Sequence, residues 1–271
     1  MVNYIEAIKR PFSDAKLLLT GCLIIFSFAI TSIIVILPVL FFTSFFNDPI
    51  IRRIPILIAG IIFAIPLAYF VKCGITAANG DFKLPHWDIS RLLSDGIMIA
   101  VITFIYSIPL MIITPVVFGS VLGPNLYGDY ISLATASTAE RSSMEYQLHY
   151  EQTWEQILPR LPILVFLLGI SALVSWLVLS AASLRFMEHE SFKEAFNIPL
   201  VIKHAFSASY ILASLISFLI FFITSIVLGL FILLLIISVI GIVIIPFILL
   251  VYYFWMAVTA YTIMGQAYGE L

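Results

Sequence analysis

Much of this chain consists of stretches that carry no charged side chain at all. Five runs lack Asp, Glu, Lys, Arg and His throughout: Leu17 to Phe46, Ile54 to Val71, Gly96 to Gly123, Leu161 to Leu184, and Ala205 to Gly269. A helix needs about 20 apolar residues to cross a hydrocarbon core roughly 30 Å thick, and a segment inside that core must satisfy its own backbone. The last run is 65 residues long, enough for two crossings. Gly241 and Pro246 are break signals near its middle, so a turn around Val239 to Ile242 leaves two spans of ordinary length. The expected fold is an all-α integral membrane protein: a single transmembrane domain over residues 1–271, with six transmembrane helices arranged as three helical hairpins.

Composition agrees. The chain is 62% hydrophobic and 10% charged, where soluble domains carry about 25% charged residues. A net charge of −2 provides no basic field, which argues against nucleic acid as a partner. Met1 to Lys16 followed by an apolar run resembles a signal peptide, but Leu17 to Phe46 is 30 residues long and no small-x-small cleavage site follows it. An uncleaved first span is expected. Cys22 and Cys73 fall at or inside span ends, which fits neither a disulfide framework nor a zinc site, and packing is their expected role.

Six crossings put both termini on one side. With the amino terminus in the cytoplasm, nine Lys and Arg lie inside (Lys9, Arg10, Lys16, Lys72, Lys83, Arg91, Arg185, Lys193, Lys203) and four outside (Arg52, Arg53, Arg141, Arg160). The positive-inside rule favours this orientation. The expectation is a multi-pass protein of the cell membrane with cytoplasmic termini.

A pattern recurs along the chain. "NYIEAIKRPF" at the amino terminus and "SFKEAFNIPL" from Ser191 share Asn/Ser-x-x-Glu-Ala-x-x-x-Pro. Each opens with a capping box, in which the Asn or Ser oxygen takes an orphan amide and the Glu three residues on reaches back. Each is amphipathic, with Tyr4, Ala7, Ile8 and Phe12 opposite Glu6, Lys9 and Arg10, and Phe192, Ala195 and Phe196 away from Lys193, Glu194 and Asn197. "GDFKLPHWDISRLLSDG", Gly80 to Gly96, fits as a third copy: Ile89, Leu92, Leu93 and Gly96 lie on one side, Asp88, Arg91 and Asp95 on the other, with Arg91 and Asp95 at ion-pair spacing. It reads as a helix lying flat at the interface with Trp87 as its anchor. The plan is then three repeat units, 1–81, 82–190 and 191–271, each an interfacial amphipathic helix followed by a hairpin, with an outer loop insertion at 124–160.

At this point "LPHWD", "LLSDG" and "YSIP" (Leu84 to Asp88, Leu92 to Gly96, Tyr106 to Pro109), with "EAIKRPF" and "SFKEAF", carry a resemblance. The chain resembles the domain of unknown function 4013 family, uncharacterised polytopic membrane proteins abundant in archaea. His86 stands where the family usually has an acidic residue, and the 124–160 loop matches no pattern of the family. The resemblance implies a fold and a location and no activity.

Chemistry is sparse. No ionisable residue falls inside an expected span, which argues against a proton-coupled pump or a charged ion filter. Pro38, Pro66, Pro109, Pro115 and Pro246 fall within spans and free backbone carbonyls, and Ser107 and Thr114 precede two of them. Small residues from Gly169 to Ser183 permit close helix contact. In the outer loop a helix from about Ala139 to Leu158 sets Tyr146, Tyr150, Trp154 and Ile157 in one stripe, which reads either as an aromatic belt or cap, or as a docking ridge or stacking platform. Glu151 with Glu155, and Glu145 with His149, have spacings that hydrolases and metal sites use, yet carboxylates along an exposed helix are ordinarily solvated and one histidine makes a poor zinc site. Phosphate loops, dinucleotide fingerprints, HExxH, nucleophile elbows and CxxC are absent from the sequence. Neither an enzyme nor a cofactor or metal is expected.

The leading expectation is a non-enzymatic membrane protein that engages membrane lipids, or a membrane protein partner, through cytoplasmic interfacial helices, with Trp87, Asp88, Arg91, Tyr146, Tyr150 and Trp154 as candidate contacts. The alternative is a transporter or permease for an apolar or neutral solute, resting on the proline-broken spans and a cavity lined by Ser107, Thr114 and Ser175.

Overall fold

The computed structural model describes residues 2–27, 54–136, 144–236 and 239–271. Regular structure among the described residues is helical throughout: α1 (Tyr4–Lys9), α2 (Ala15–Ser27), α3 (Ile54–Ala78), α4 (Ile89–Leu122), α5 (Pro124–Thr135), α6 (Met144–Ile157), α7 (Leu161–His189), α8 (Phe192–Ala195), α9 (Ile198–Ala205), α10 (Ala208–Ile236) and α11 (Val239–Gly269), with 3₁₀ turns at Arg10–Phe12 and Leu158–Arg160. Four stretches are long and apolar enough to cross a membrane: Ile89–Leu122, Tyr146–His189, Ala208–Ile236 and Ile244–Gly269. Ala15–Ser27 and Ala64–Ala78 are shorter apolar helices. The rest of the expected first span, residues 28–46, lies outside the described residues.

Val239 to Ile242, where the sequence places a turn, are helical in the structure, so Gly241 and Pro246 both lie inside α11. Residues 237–238, between α10 and α11, lie outside the described residues. Pro109 and Pro115 likewise sit within α4, and Pro66 within α3. Ser107 donates to Phe104 O at 2.7 Å and Thr114 to Leu110 O at 2.8 Å. Both hydroxyls are thus engaged by the carbonyls of their own helix.

The chain divides into two units: residues 1–103 with 177–271, and residues 104–176. In the first, α11 is the central element, packed on α3, α10 and α1. α3 and α11 meet through small residues one turn apart, Gly74 and Ala78 against Gly265 and Gly269. Without a hydrophobic force to join helices in lipid, close backbone approach is what holds such a pair. Tyr69, Phe70 and Phe254 fill the core beside that crossing. Cys22 and Cys73 are buried free thiols, as packing requires.

The second unit comprises the later part of α4, α5, α6 and the early part of α7. Leu122, Leu126, Ile157 and Leu164 form its core, with Trp154 and Tyr130 packed against them. The expected helix of the 124–160 loop is present as α6 over Met144–Ile157, residues 139–143 of the expected range lying outside the described residues, and it is partnered by a second helix, α5, within the same segment. Its stripe turns toward α5: Ile157 and Thr153 are buried, and Tyr146 donates to Leu133 O at 3.2 Å.

Candidate functional site

Among the described residues of the first unit, a buried cation gathers the ends of several elements around itself. Arg10 is only 2% exposed. A helical wheel places Ala7, Arg10 and Pro11 at i, i+3 and i+4, on one face, and all three are buried. The expectation that Arg10 shares a solvated face with Glu6 and Lys9 is therefore corrected. The spacing to Ala7 was the available signal.

The guanidinium is held by oxygens that are not carboxylates. Nε donates to Phe82 O at 3.1 Å. Nη1 donates to Cys73 O at 2.6 Å and Thr262 Oγ1 at 2.9 Å. Nη2 reaches Thr76 Oγ1 at 2.6 Å, Asp81 O at 3.2 Å and Lys83 O at 2.8 Å. Arginine offers five N–H donors in a fixed fork, and six acceptors on α3, α11 and the 81–83 strand of chain surround it here. The end of α3 adds the partial negative charge of a helix carboxy terminus. Burial lowers the proton affinity of Arg10, yet an arginine stays charged in proteins.

The acceptors are presented by the charged segment Gly80 to Gly96. Gly80, at φ +78°, ends α3 in a Schellman motif: its N–H bonds Ala77 O at 3.0 Å and that of Asp81 bonds Thr76 O at 2.9 Å. Lys83 N–H then closes on Asp81 Oδ1 at 2.9 Å, turning three successive carbonyls toward Arg10. Leu84 and Trp87 are buried, and Trp87 stacks on Tyr69 with centroids 3.7 Å apart and planes 6° from parallel. Asp88 caps α4, its carboxylate accepting from Arg91 N–H at 3.3 Å.

This corrects the reading of Gly80 to Gly96 as a separate interfacial helix. Residues 81–88 are not helical, and α4 starts at Ile89 and runs unbroken to Leu122. Backbone acceptors drawn to Arg10, and a tryptophan drawn into the core, leave this stretch no freedom to lie flat. Trp87, at 8% exposure, is a plug within the fold. Trp87→Ala removes both the stack and a large buried surface, and a loss of about 3 kcal/mol is expected, read as a fall in the thermal midpoint in detergent, with Trp87→Phe retaining most of the stability.

Neighbouring ends are tied to the same place. Arg91 pairs with Glu190 and lies 4.0 Å from Asp95, the expected i,i+4 partner. Arg185, itself buried, bonds Glu194 Oε2 at 2.5 Å. That bond holds the Glu194 carboxyl below the ordinary carboxylate range, so the pair stabilises at neutral pH and is lost only on acidification below the usual carboxylate pKa. Tyr268 donates to Glu188 at 2.5 Å, and His204 meets the Tyr268 ring edge-on at 5.0 Å. Trp255 Nε1 donates to Ile8 O at 3.0 Å. Histidine, cysteine and carboxylate groups do not cluster as a metal site among the described residues.

Of the two expected capping boxes, one forms in altered shape and one does not form. Asn3 Oδ1 accepts from Glu6 N–H at 3.1 Å, but the Glu6 carboxylate takes the Asn3 side chain at 2.9 Å, and Asn3 N–H goes to Gln266 Oε1 at 2.5 Å. Ser191 makes no side-chain cap: the Glu194 N–H goes to Ser191 O at 3.1 Å, and the Glu194 carboxylate, which would reach back, is taken by Arg185.

These features define an all-helical protein with four helices of membrane-spanning length and composition, closed at its polar end around a carbonyl-bound arginine. The chain belongs to the family described as Protein of unknown function (DUF4013), which matches residues 54–233. The match takes in "LPHWD", "LLSDG", "YSIP" and "SFKEAF", while "EAIKRPF" and Arg10 lie before it. No curated protein and no solved structure matches the chain.

Proposed function

We propose that this is a six-span membrane protein that works without catalysis, its polar end at the cytoplasmic boundary, where it engages lipid headgroups or a membrane partner through α1, α8 and α9. α9 carries the reading. Val201 and Ala205 are buried against the fold, whereas Ile198 (55% exposed), Ile202 (46%) and Phe206 (46%) point away from it beside the exposed Lys203. A helix of 8 residues is too short to cross a bilayer, and apolar side chains interleaved with lysine are what an interfacial helix offers. Ile5 and Phe12 extend the exposed apolar surface on the amino-terminal segment. Beside Phe12 an apolar groove of ≈ 420 Å³, walled by Leu228, Phe247, Val251 and Trp255, has room for an acyl chain.

The test combines position and ligand. Single cysteines at positions 198, 202 and 206, labelled with an environment-sensitive dye in lipid nanodiscs, are expected to report an apolar, lipid-quenchable setting. Native mass spectrometry from mild detergent is expected to retain lipid or a second protein. Water-exposed labels together with a bare monomer mass would remove the reading, as would labels at Lys83 and Lys203 reacting from opposite sides of the membrane.

A further inference from the structure

The second unit holds a small pocket between α5 and α6 that the polar end does not account for. Its volume is ≈ 220 Å³, and its walls include Tyr130, Leu133, Tyr146, Tyr150, Trp154 and Ile157. Tyr146 and Tyr150 lie near parallel, with centroids 6.2 Å apart and planes at 22°. Trp154 is turned against Tyr150 at 5.9 Å and 61°. Three ring surfaces of differing tilt therefore follow one another along a single wall. The Tyr146 ring is fixed by its bond to Leu133 O, and Tyr130 is backed by Phe118 at 5.8 Å.

The electrostatic setting is one-sided. Asp129, next in sequence to the wall residue Tyr130, lies 4.0 Å from His149 across the α5–α6 gap. Glu151 and Glu155 are exposed and follow Tyr150 and Trp154 in sequence. Residues 124–160 carry five carboxylates (Asp129, Glu140, Glu145, Glu151, Glu155) against two arginines (Arg141, Arg160) and no lysine. Arg160 directs its guanidinium to the Val121 and Leu122 carbonyls at the end of α4. Aromatic faces carry negative electrostatic potential, and acidic flanks add to it. An anion is disfavoured here on both counts, and a cation with an apolar coat is favoured on both.

We infer that this pocket binds a small organic cation of the alkylated ammonium class. Quaternary ammonium groups are recognised by aromatic faces, which the α6 rings and Tyr130 of α5 supply here. The volume is below the roughly 300–1,000 Å³ of sites for drug-sized ligands, so it takes a headgroup-sized moiety and not a whole lipid. That moiety has two sources, a choline-type lipid headgroup or a free quaternary amine.

The experiment is calorimetric titration of the full chain in maltoside micelles with tetramethylammonium chloride, with tert-butanol as the neutral isostere. Saturable binding of tetramethylammonium is expected, with tert-butanol weaker by about tenfold or more. Trp154→Leu and Tyr150→Leu are each expected to weaken binding by about threefold or more. Since Trp154 also packs on the unit's core, Tyr150→Leu, at a more exposed ring, carries the test if Trp154→Leu does not fold. Repeating the titration in nanodiscs separates the sources: competition by phosphatidylcholine relative to phosphatidylglycerol identifies the lipid headgroup, and equal affinity in both identifies the free amine. Absence of saturation, equal binding of tert-butanol, or unchanged affinity in a folded Tyr150→Leu protein would overturn the inference.

Discussion

Arg10→Leu is expected to leave little folded protein. The substitution strips hydrogen-bond donors from the carbonyls of Cys73, Asp81, Phe82 and Lys83 and from two threonine hydroxyls. A buried acceptor left unpaired costs about 1–3 kcal/mol. Even with strong non-additivity, the loss exceeds about 5 kcal/mol, which is comparable to the whole stability of many domains. Arg10→Lys is expected to rescue only part of it, because a compact ammonium has three donors and no planar fork to span α3, α11 and the 81–83 carbonyls. The measurement is the monodisperse fraction after detergent extraction, followed by the thermal midpoint of whatever survives. An Arg10→Leu protein that extracts normally and melts within a degree or two of the parent would show that the six contacts contribute nothing. Asp81→Ala makes a useful contrast: it leaves the carbonyl of residue 81 in place and removes only the turn bond to Lys83 N–H, so its effect is expected to be small.

The sequence disclosed the bilayer-scale features and missed the internal ones, and the two outcomes have different physical origins. Uncharged runs are long-range constraints that no tertiary contact can cancel, so the four helices of spanning length and composition stand close to where hydropathy sets them. Gly241 and Pro246, which read as break signals, both lie inside α11, because a glycine only weakens a helix and a proline can be carried within a membrane helix. The segment Gly80 to Gly96 was misread for a different reason. Of the apolar face expected over Asp88 to Gly96, Leu92 and Gly96 are buried while Ile89 and Leu93 are exposed with Asp88 and Arg91, and these residues form the first turns of the long helix α4. What decides residues 81 to 87 is where backbone carbonyls go, and side-chain hydropathy does not report that. Arg10 was missed by reading a charge as a solvated charge, although its spacing from Ala7 pointed inward. In the 124–160 segment the stripe of Tyr146, Tyr150 and Trp154 is legible as a face, while its partner is not, because Gly123, Pro124 and Gly128 read as turn signals although Pro124–Thr135 is helical.

Gly265→Leu is expected to part α3 from α11. A Cβ at position 265 would fall on the backbone carbonyl of Gly74, one at 269 would stand 2.6 Å from Ala78 O, and one at 74 would stand 2.9 Å from Tyr261 O. These neighbours are backbone atoms of a continuous helix, so they cannot swing aside as a side chain can, and overpacking of this kind costs about 1–3 kcal/mol for even a small addition. Gly265→Ala should therefore lower the thermal midpoint clearly, and Gly265→Leu should abolish the folded form. Gly229→Ala in α10 is the control, since nothing lies within 4 Å of its added Cβ, and removing a helical glycine there should be neutral or stabilise by up to about 1 kcal/mol. The two large effects are linked through one group. Arg10 Nη1 bridges Cys73 O on α3 and Thr262 Oγ1 on α11, one residue from Gly74 and three from Gly265. Prising the helices apart therefore also breaks the arginine's coordination. In a background made stable enough to measure both, Arg10→Leu and Gly265→Ala together should cost less than the sum of their separate losses by more than about 0.5 kcal/mol; strict additivity would mean that the crossing and the buried cation are independent.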